Sequence, residues 1–305
     1  MAWDIRGKTV LLTGATSGIG LEASVALARQ GARVVMVGRD PARTVAAVAD
    51  VAARSGSKEV SYLLADFSSQ AAIRALLDAV RSRVDRLDVL VNNAGGVHKA
   101  RRLTVDGIEA TFAVNHLGYF LLTNLLLDLV VKSAPARVVT VASVGHRRGT
   151  LDFEDLGFER GGYSIMRAYS RSKLANVLFA AELARRLAGS GVTSNSLHPG
   201  SVDTNIWSGA PLWAKPIIQI VFRPFFISAE KGGERIVQLA ASPELEGVTG
   251  KYFEDGKVVE PAPLARDESL ATRLWDVSAR MVGLAPAQVT GSPPDDVTAP
   301  SNRWC

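Results

Sequence analysis

Lys8-Thr9-Val10-Leu11-Leu12-Thr13-Gly14-Ala15-Thr16-Ser17-Gly18-Ile19-Gly20 is the stretch whose reading decides the fold. Its apolar opening reads as a short strand buried on both faces, as in a parallel sheet. The glycine turn from Thr13 to Gly20 follows directly, and a helical pattern then runs to Gly31. Strand, glycine turn and helix together let backbone N–H groups and a helix N-terminus hold a pyrophosphate. Gly14 suits the tight turn, Gly18 the approach of phosphates to the backbone, and Gly20 the close packing of helix on strand. Thr16, Ser17 and Ile19 complete the expected cradle. Taken alone, the same residues also fit a plain glycine-rich turn.

Outward from this stretch the chain repeats strand and helix. Arg33 to Val37 reads as the second strand, ending in Gly38-Arg39-Asp40-Pro41. Dinucleotide folds that select NAD place an acid at this strand end to bind the ribose 2′-OH. Here the slot holds Gly38, followed by Arg39, with Arg43 one turn on. A guanidinium pairs with a 2′-phosphate, so NADP(H) is favoured over NAD(H). Asp40 reads as the N-cap of a helix opening at Pro41, which leaves Arg39 free. Glu59 to Leu64 is a third strand delivering Asp66 and Phe67 to the same edge, and Ser68 reads as the start of a helix. Asp88 to Val91 is a fourth, ending in Asn92-Asn93-Ala94-Gly95, small and amide residues that suit close passage of a ribose or nicotinamide.

A long helix is expected from about Val105 to Val131. It carries Asn115, a buried amide that needs a partner, and His116, read as a satisfied core or surface histidine. The fifth strand, from Ala136, ends at Ser143, placing a hydroxyl at the strand tip where ligands bind in such sheets. Val192 to Leu197 is the sixth, followed by His198-Pro199-Gly200. Ser228 opens a further helix, stopped by Pro243; Gly250 to Phe253 reads as a last edge strand, and Asp267 to Met281 as a last helix. Neither a repeat beyond this alternation nor a dividing linker is visible. The expectation is a single-domain α/β Rossmann-type fold over residues 1–285, a doubly wound parallel sheet of about seven strands with helices on both faces. The Pro-, Ser-, Asp- and Thr-rich stretch 286–305 reads as a frayed tail.

Tyr169-Ser170-Arg171-Ser172-Lys173 lies near the start of another long helical pattern, so the Tyr169 and Lys173 side chains share one face, a turn apart. A free phenol, with a pKa near ~10, is a poor base at neutral pH. An ammonium beside it favours the phenolate and moves it toward the working range of a general acid/base.

Bulk properties narrow the classes. The 305 residues are 47% hydrophobic and 21% charged, as in ordinary globular chains. The net charge of +5 is dispersed without like-charge blocks, which gives nucleic-acid binding no support. A single cysteine, Cys305, offers neither internal disulfide nor thiolate metal cluster, and a reducing cytoplasmic setting is expected. Too few residues precede the first strand for a signal peptide. The apolar run Ile217 to Ile227, broken by Arg223 and Pro224, falls short of a bilayer span. No integral membrane segment and no metal are expected.

These motifs, in order, resemble the short-chain dehydrogenase/reductase family over roughly residues 5–285. More narrowly, Val114-Asn115-His116-Leu117-Gly118-Tyr119-Phe120, Ser172-Lys173-Leu174-Ala175-Asn176-Val177-Leu178-Phe179 and Leu197-His198-Pro199-Gly200 resemble the retinol dehydrogenase-like branch, which includes the oxidoreductase part of WW-domain oxidoreductases. The resemblance implies an enzyme in which Ser143 hydrogen-bonds the substrate oxygen and Tyr169 is the general acid/base. Lys173 would hold the nicotinamide ribose and lower the Tyr169 pKa, and Asn115 would fix a water leading from Lys173 to solvent. The cofactor would meet Gly14, Thr16, Ser17, Gly18, Ile19, Gly20, Arg39, Asp66, Phe67, Asn93, Ala94, Gly95, Tyr169, Lys173, Pro199, Gly200, Val202 and Thr204. The membrane-bound members of that branch carry an N-terminal apolar anchor, and none is visible here. An apolar lid at about 201–230, with Trp207, Trp213, Phe222 and Phe225, implies an apolar aldehyde, ketone or retinal-like substrate; the same residues also suit a helix packed on the core or a subunit contact. A homodimer or homotetramer is expected from the resemblance. The alternative function is a non-catalytic, redox-sensing NADP(H)-binding protein on the same fold.

Overall fold

The apolar strand runs and the amphipathic stretches between them sort into a single layered sheet. A computed structural model describes residues 3–202 and 226–285. The strands are β1 (Thr9–Thr13), β2 (Arg33–Gly38), β3 (Val60–Leu64), β4 (Val89–Asn92), β5 (Ala136–Val141), β6 (Val192–His198), β7 (Ser201–Val202), β8 (Phe226–Ile227), β9 (Tyr252–Glu254) and β10 (Lys257–Val258). Eight of them form the main sheet in the order β10-β9-β6-β5-β4-β1-β2-β3, while β7 and β8 pair separately. Every pairing in the main sheet is parallel except the β9–β10 hairpin at the edge. The order reverses direction between β1 and β4, which opens a crevice at the carboxyl ends of the strands.

Alternate residues of each strand feed opposite layers. Leu11, Val35, Leu90 and Val138 pack with α3 (Gln70–Arg81), α5 (Gly118–Leu125), α7 (Ile165–Arg186) and α9 (Glu268–Met281). Val10, Leu12, Val34, Met36 and Val139 pack with α1 (Gly18–Arg29), α2 (Pro41–Ser55) and α8 (Ala229–Ala241). Burying such a side chain contributes about 1.5–3 kcal/mol, so both layers hold the sheet firmly. Asp40, Ser69, Ser164, Ser228 and Asp267 each cap a helix with a side-chain oxygen, as their position before an apolar-periodic run requires.

Three sequence expectations shift. The long helix does not begin near Val105: Leu103 and Glu109 form an antiparallel bridge, and the Glu109 carboxylate accepts the N–H groups of Thr111 and Phe112 at 2.8 Å, starting α4 (Ala110–Phe112) there. A π-helical turn, Ala113–Leu117, then leads into α5, and α6 (Leu127–Lys132) follows after a break at Leu126. Ser69 rather than Ser68 caps α3, because the Ser68 hydroxyl and N–H are already bonded to Asp66. Lastly, the sheet edge is β10, a turn beyond the expected last strand, so the sheet has eight strands. The expected lid residues from 203 to 225, Thr204 among them, and the stretch 286–305 with Cys305 lie outside the described residues.

Candidate active site

At the end of β1 the chain turns through Gly14 and Gly18, at φ +65° and +55°, backbone that favours glycine. A Cβ on Gly14 would stand 2.7 Å from Ala94 Cα, and one on Gly20 would strike the Gly14 carbonyl and come within 2.6 Å of Asn93 Nδ2. The turn is therefore pressed against the end of β4. Asn93 Nδ2 donates to the carbonyls of Thr13 and Gly14 at 2.9 and 3.1 Å, and Thr13 Oγ1 accepts the N–H groups of Asn93 and Ala94.

Ser17, at the N-cap of α1, makes no side-chain cap, and no acid stands in the first turn. The orphan N–H groups and positive end of that helix thus face the turn uncapped, unlike those of α2, α3, α7, α8 and α9. This arrangement fits a dinucleotide pyrophosphate.

The next strand end shows how little room an acid has there. A Cβ on Gly38 would collide with Thr44 Oγ1 and lie 2.6 Å from Thr16 Cγ2. Arg39 and Arg43 are exposed beside it. Asp66 is turned to its own loop, accepting from Ser68 N and Oγ at 2.9 and 2.8 Å. The Phe67 ring is buried against Gly118, whose added Cβ would lie 2.7 Å from Cδ1.

Ser143, at the tip of β5, caps a 3-10 turn (Val144–Arg148), with Oγ accepting Gly145 N–H at 3.1 Å. That turn lies on α7. The place of a Gly145 Cβ is 3.4 Å from Ser143 Oγ and 3.3 Å from Tyr169 Cε1, so hydroxyl and phenol ring flank one spot. Lys173, nearly buried, lies with Nζ 5.6 Å from the Tyr169 ring centroid and donates to Val141 O at 2.9 Å. β1, β4 and β5 are parallel neighbours, so Ser143 stands on the same rim as the glycine turn.

Burial dominates the electrostatics. It raises the Tyr169 phenol above its ordinary range, opposed by hydrogen bonding with Ser143. It also drives the Lys173 ammonium down to about 7. The expected lowering of the phenol by Lys173 is therefore not what acts on Tyr169: desolvation raises it, and the opposing pull comes from Ser143.

Asn115, within the π-helical turn, ties three elements together. Its side chain exchanges hydrogen bonds with Gly96 at 2.9 Å in both directions and donates to Ser172 Oγ at 3.1 Å. Its carbonyl accepts from Asn176 Nδ2, which also reaches Val141 O. Pro199 and Gly200 follow β6, and Gly200, at φ +98°, approaches Ile227 and Arg235. The Val202 backbone pairs with Ile227.

His146, which the sequence reading passed over, is fully buried against the Ser143 carbonyl. Its signal was a histidine within one tight turn of a strand-tip serine.

A cavity of roughly 1010 Å³ at the other sheet rim, against Trp3, Lys8 and Arg33, contains none of these residues. Among the described residues there is no cluster suited to a metal, and no helix long and apolar enough to cross a membrane.

A cradle for a dinucleotide on the rim that carries a hydroxyl, a phenol and a buried amine defines an oxidoreductase of alcohol and carbonyl groups using a nicotinamide cofactor. The chain belongs to the short chain dehydrogenase family, whose model matches residues 8–214. It is 46% identical over 292 residues to retinol dehydrogenase 14 of Mus musculus, covering 92% of this chain and 87% of that protein. To retinol dehydrogenase 13 of Homo sapiens it is 41% identical over 293 residues, covering 95% and 88%. Among solved structures, an uncharacterised protein from Mycobacterium paratuberculosis superposes with a TM-score of 0.76 at 32% identity, covering 93% of this chain and 96% of that one. Pseudomonas aeruginosa RhlG, solved as an active-site complex with NADP, gives 0.67 at 25% identity, covering 88% and 98%.

Proposed function

We propose that this chain is an NADP(H)-dependent carbonyl reductase/alcohol dehydrogenase for apolar substrates, with Tyr169 as general acid/base. The observation that carries the reading is the meeting of Ser143 Oγ and the Tyr169 ring about the Gly145 position, next to the buried Lys173. When bound, the nicotinamide supplies or accepts the hydride. Ser143 donates a hydrogen bond to the substrate oxygen, and the Tyr169 hydroxyl gives its proton to that oxygen in reduction or takes it back in oxidation. Donors fixed in advance at a developing oxyanion stabilise the transition state more than the ground state. A phenol raised by burial holds its proton at neutral pH, which suits the acid role in the reducing direction. Asn115 contributes by tying the loop after β4 to α7.

NADP(H) rather than NAD(H) is supported by the crowded Gly38 slot and the exposed Arg39 and Arg43 beside it. An apolar substrate is supported by the relatives named for retinol.

The test is NADPH consumption with all-trans-retinal and a panel of apolar aldehydes and ketones, beside Tyr169→Phe. The wild type should turn over members of the panel, and the variant should lose at least about a hundred-fold in kcat while binding NADPH normally. Tight NADPH binding by the wild type with no turnover on any carbonyl would establish the redox-sensing alternative instead.

A further inference from the structure

The position of the Ser143 hydroxyl depends on its backbone, and that backbone is held by His146 of the same turn, whose ring reaches beyond the turn to Ala262. The Ser143 carbonyl accepts His146 N–H at 3.1 Å and, more closely, His146 Nδ1 at 2.7 Å. A carbonyl can only accept, so Nδ1 bears a proton. At the opposite end of the ring, Nε2 lies 3.0 Å from the Ala262 backbone N–H, which can only donate. The two contacts together select one tautomer of an uncharged imidazole, protonated on Nδ1. A second proton on Nε2 would set two N–H groups against each other.

The ring has no freedom to choose otherwise. It is 1% exposed and meets the Tyr252 ring edge-on at 4.8 Å between centroids. Burial lowers its pKa, helped by Arg147 and opposed by its bond to Ser143 and by Glu254; Arg147 and Glu254 are themselves paired at 2.8 Å. Ala262 follows the β9–β10 hairpin and caps the 3-10 turn Pro263–Arg266, which packs on α7. On the near side, a Cβ on Gly149 would lie 2.7 Å from Leu174 Cβ, so the serine turn itself rests on α7. His146 therefore joins the serine turn to the edge of the sheet, while both lean on the helix that carries Tyr169.

We propose that His146 is a positioning residue: its Nδ1–H fixes the Ser143 carbonyl, and through it the Ser143 hydroxyl, in register with Tyr169. It touches neither substrate nor cofactor. The inference rests on the proposed role of Ser143 in holding the substrate oxygen, but the histidine contact has its own readout.

The experiment uses the full chain loaded with NADPH. His146→Leu removes the donor with little loss of volume, and His146→Asn returns an amide N–H near the place of Nδ1. The leucine variant should lose about ten- to a hundred-fold in kcat for the aldehyde the wild type reduces best, the scale of a misplacement near 1 Å. Aldehyde KM and NADPH Kd should stay near wild-type values, and the asparagine variant should recover most of the loss. A leucine variant within about two-fold of wild type, or an asparagine variant as impaired as leucine while folded, overturns the proposal. Imidazole ¹⁵N spectra supply the readout without turnover: the signal absent from the variants should be that of an uncharged ring protonated on Nδ1. An Nε2-protonated ring overturns the proposal whatever the activity. A wild type that reduces no carbonyl yet shows the Nδ1–H ring sinks the proposed function and leaves the Ser143 anchor supported. Should the leucine variant fail to fold, the asparagine variant and the spectra decide.

Discussion

Lys173 Nζ donates to the Val141 carbonyl at 2.9 Å across the junction of α7 and β5, and the amine is almost wholly out of water. Desolvation brings its pKa to about 7, from an ordinary value near ~10.4. The unfolded chain therefore binds this proton more tightly than the folded one, so burial of Lys173 costs stability at neutral pH. The folded state regains it as pH rises from about 7 toward ~10.4.

Lys173→Met should accordingly separate stability from activity. Without the buried amine the midpoint of thermal unfolding at pH 7 should rise, by roughly 2–4 °C for each kcal/mol regained. Carbonyl reduction should fall at least about a hundred-fold. Differential scanning calorimetry beside NADPH turnover checks both. A variant less stable than wild type at pH 7 would mean that the bond to Val141 outweighs the desolvation cost.

The proposed preference for NADP(H) rests on the crowding at Gly38 and on Arg39 next to it. Arg39 is exposed and its neighbour Asp40 is committed to capping α2, accepting Arg43 N–H at 2.8 Å. Arg39→Asp should leave folding untouched and weaken NADPH binding by about 1.5–3 kcal/mol, the worth of a hydrogen bond to a charged group. NADH binding should change little. Titrating both coenzymes calorimetrically separates the cases, and equal loss of both would show that Arg39 does not meet a 2′-phosphate. Gly38→Asp is the poorer probe, since its Cβ would first displace Thr44 and Thr16.

The sheet was legible because its strands are short apolar runs ending in glycine, amide or hydroxyl residues at one rim. Parallel strands buried on both faces leave that signature directly in sequence. Asn115 was legible as a buried amide needing partners, and Gly96, Ser172 and Asn176 supply them. The start of α4 was not, because Glu109 acts both as a bridge partner of Leu103 and as a cap, roles that helical periodicity does not encode. Nor was the raised pKa of Tyr169: spacing shows that an ammonium stands one turn away, but only coordinates show that both groups are desolvated. His146 was hidden for a related reason, since its second partner, Ala262, comes from the far end of the chain.

His116 offers the clearest pH signature. Nδ1 lies 3.3 Å from Asn176 Oδ1 and Nε2 3.0 Å from Ser278 Oγ, all three side chains being buried. Asn176 spends its amide N–H groups on the carbonyls of Asn115 and Val141, so its oxygen faces the ring and accepts from Nδ1. The Ser278 hydroxyl then donates to Nε2, and the uncharged ring is fully satisfied. Burial lowers the His116 pKa to about 4, with Asn176 opposing. The unfolded chain thus takes up a proton near pH ~6.5 that the folded chain refuses until about pH 4. Stability from this group is complete above ~6.5 and is lost as pH falls through that window, on the order of 3 kcal/mol in all. His198, also lowered to about 4 by burial, adds to the same slope. Urea unfolding at pH 7, 6, 5 and 4.5 should show midpoints falling with pH. His116→Gln, which cannot titrate, should be less stable at pH 7 but visibly flatter in its response to acid. An acid slope unchanged in the variant would exclude His116 as its source.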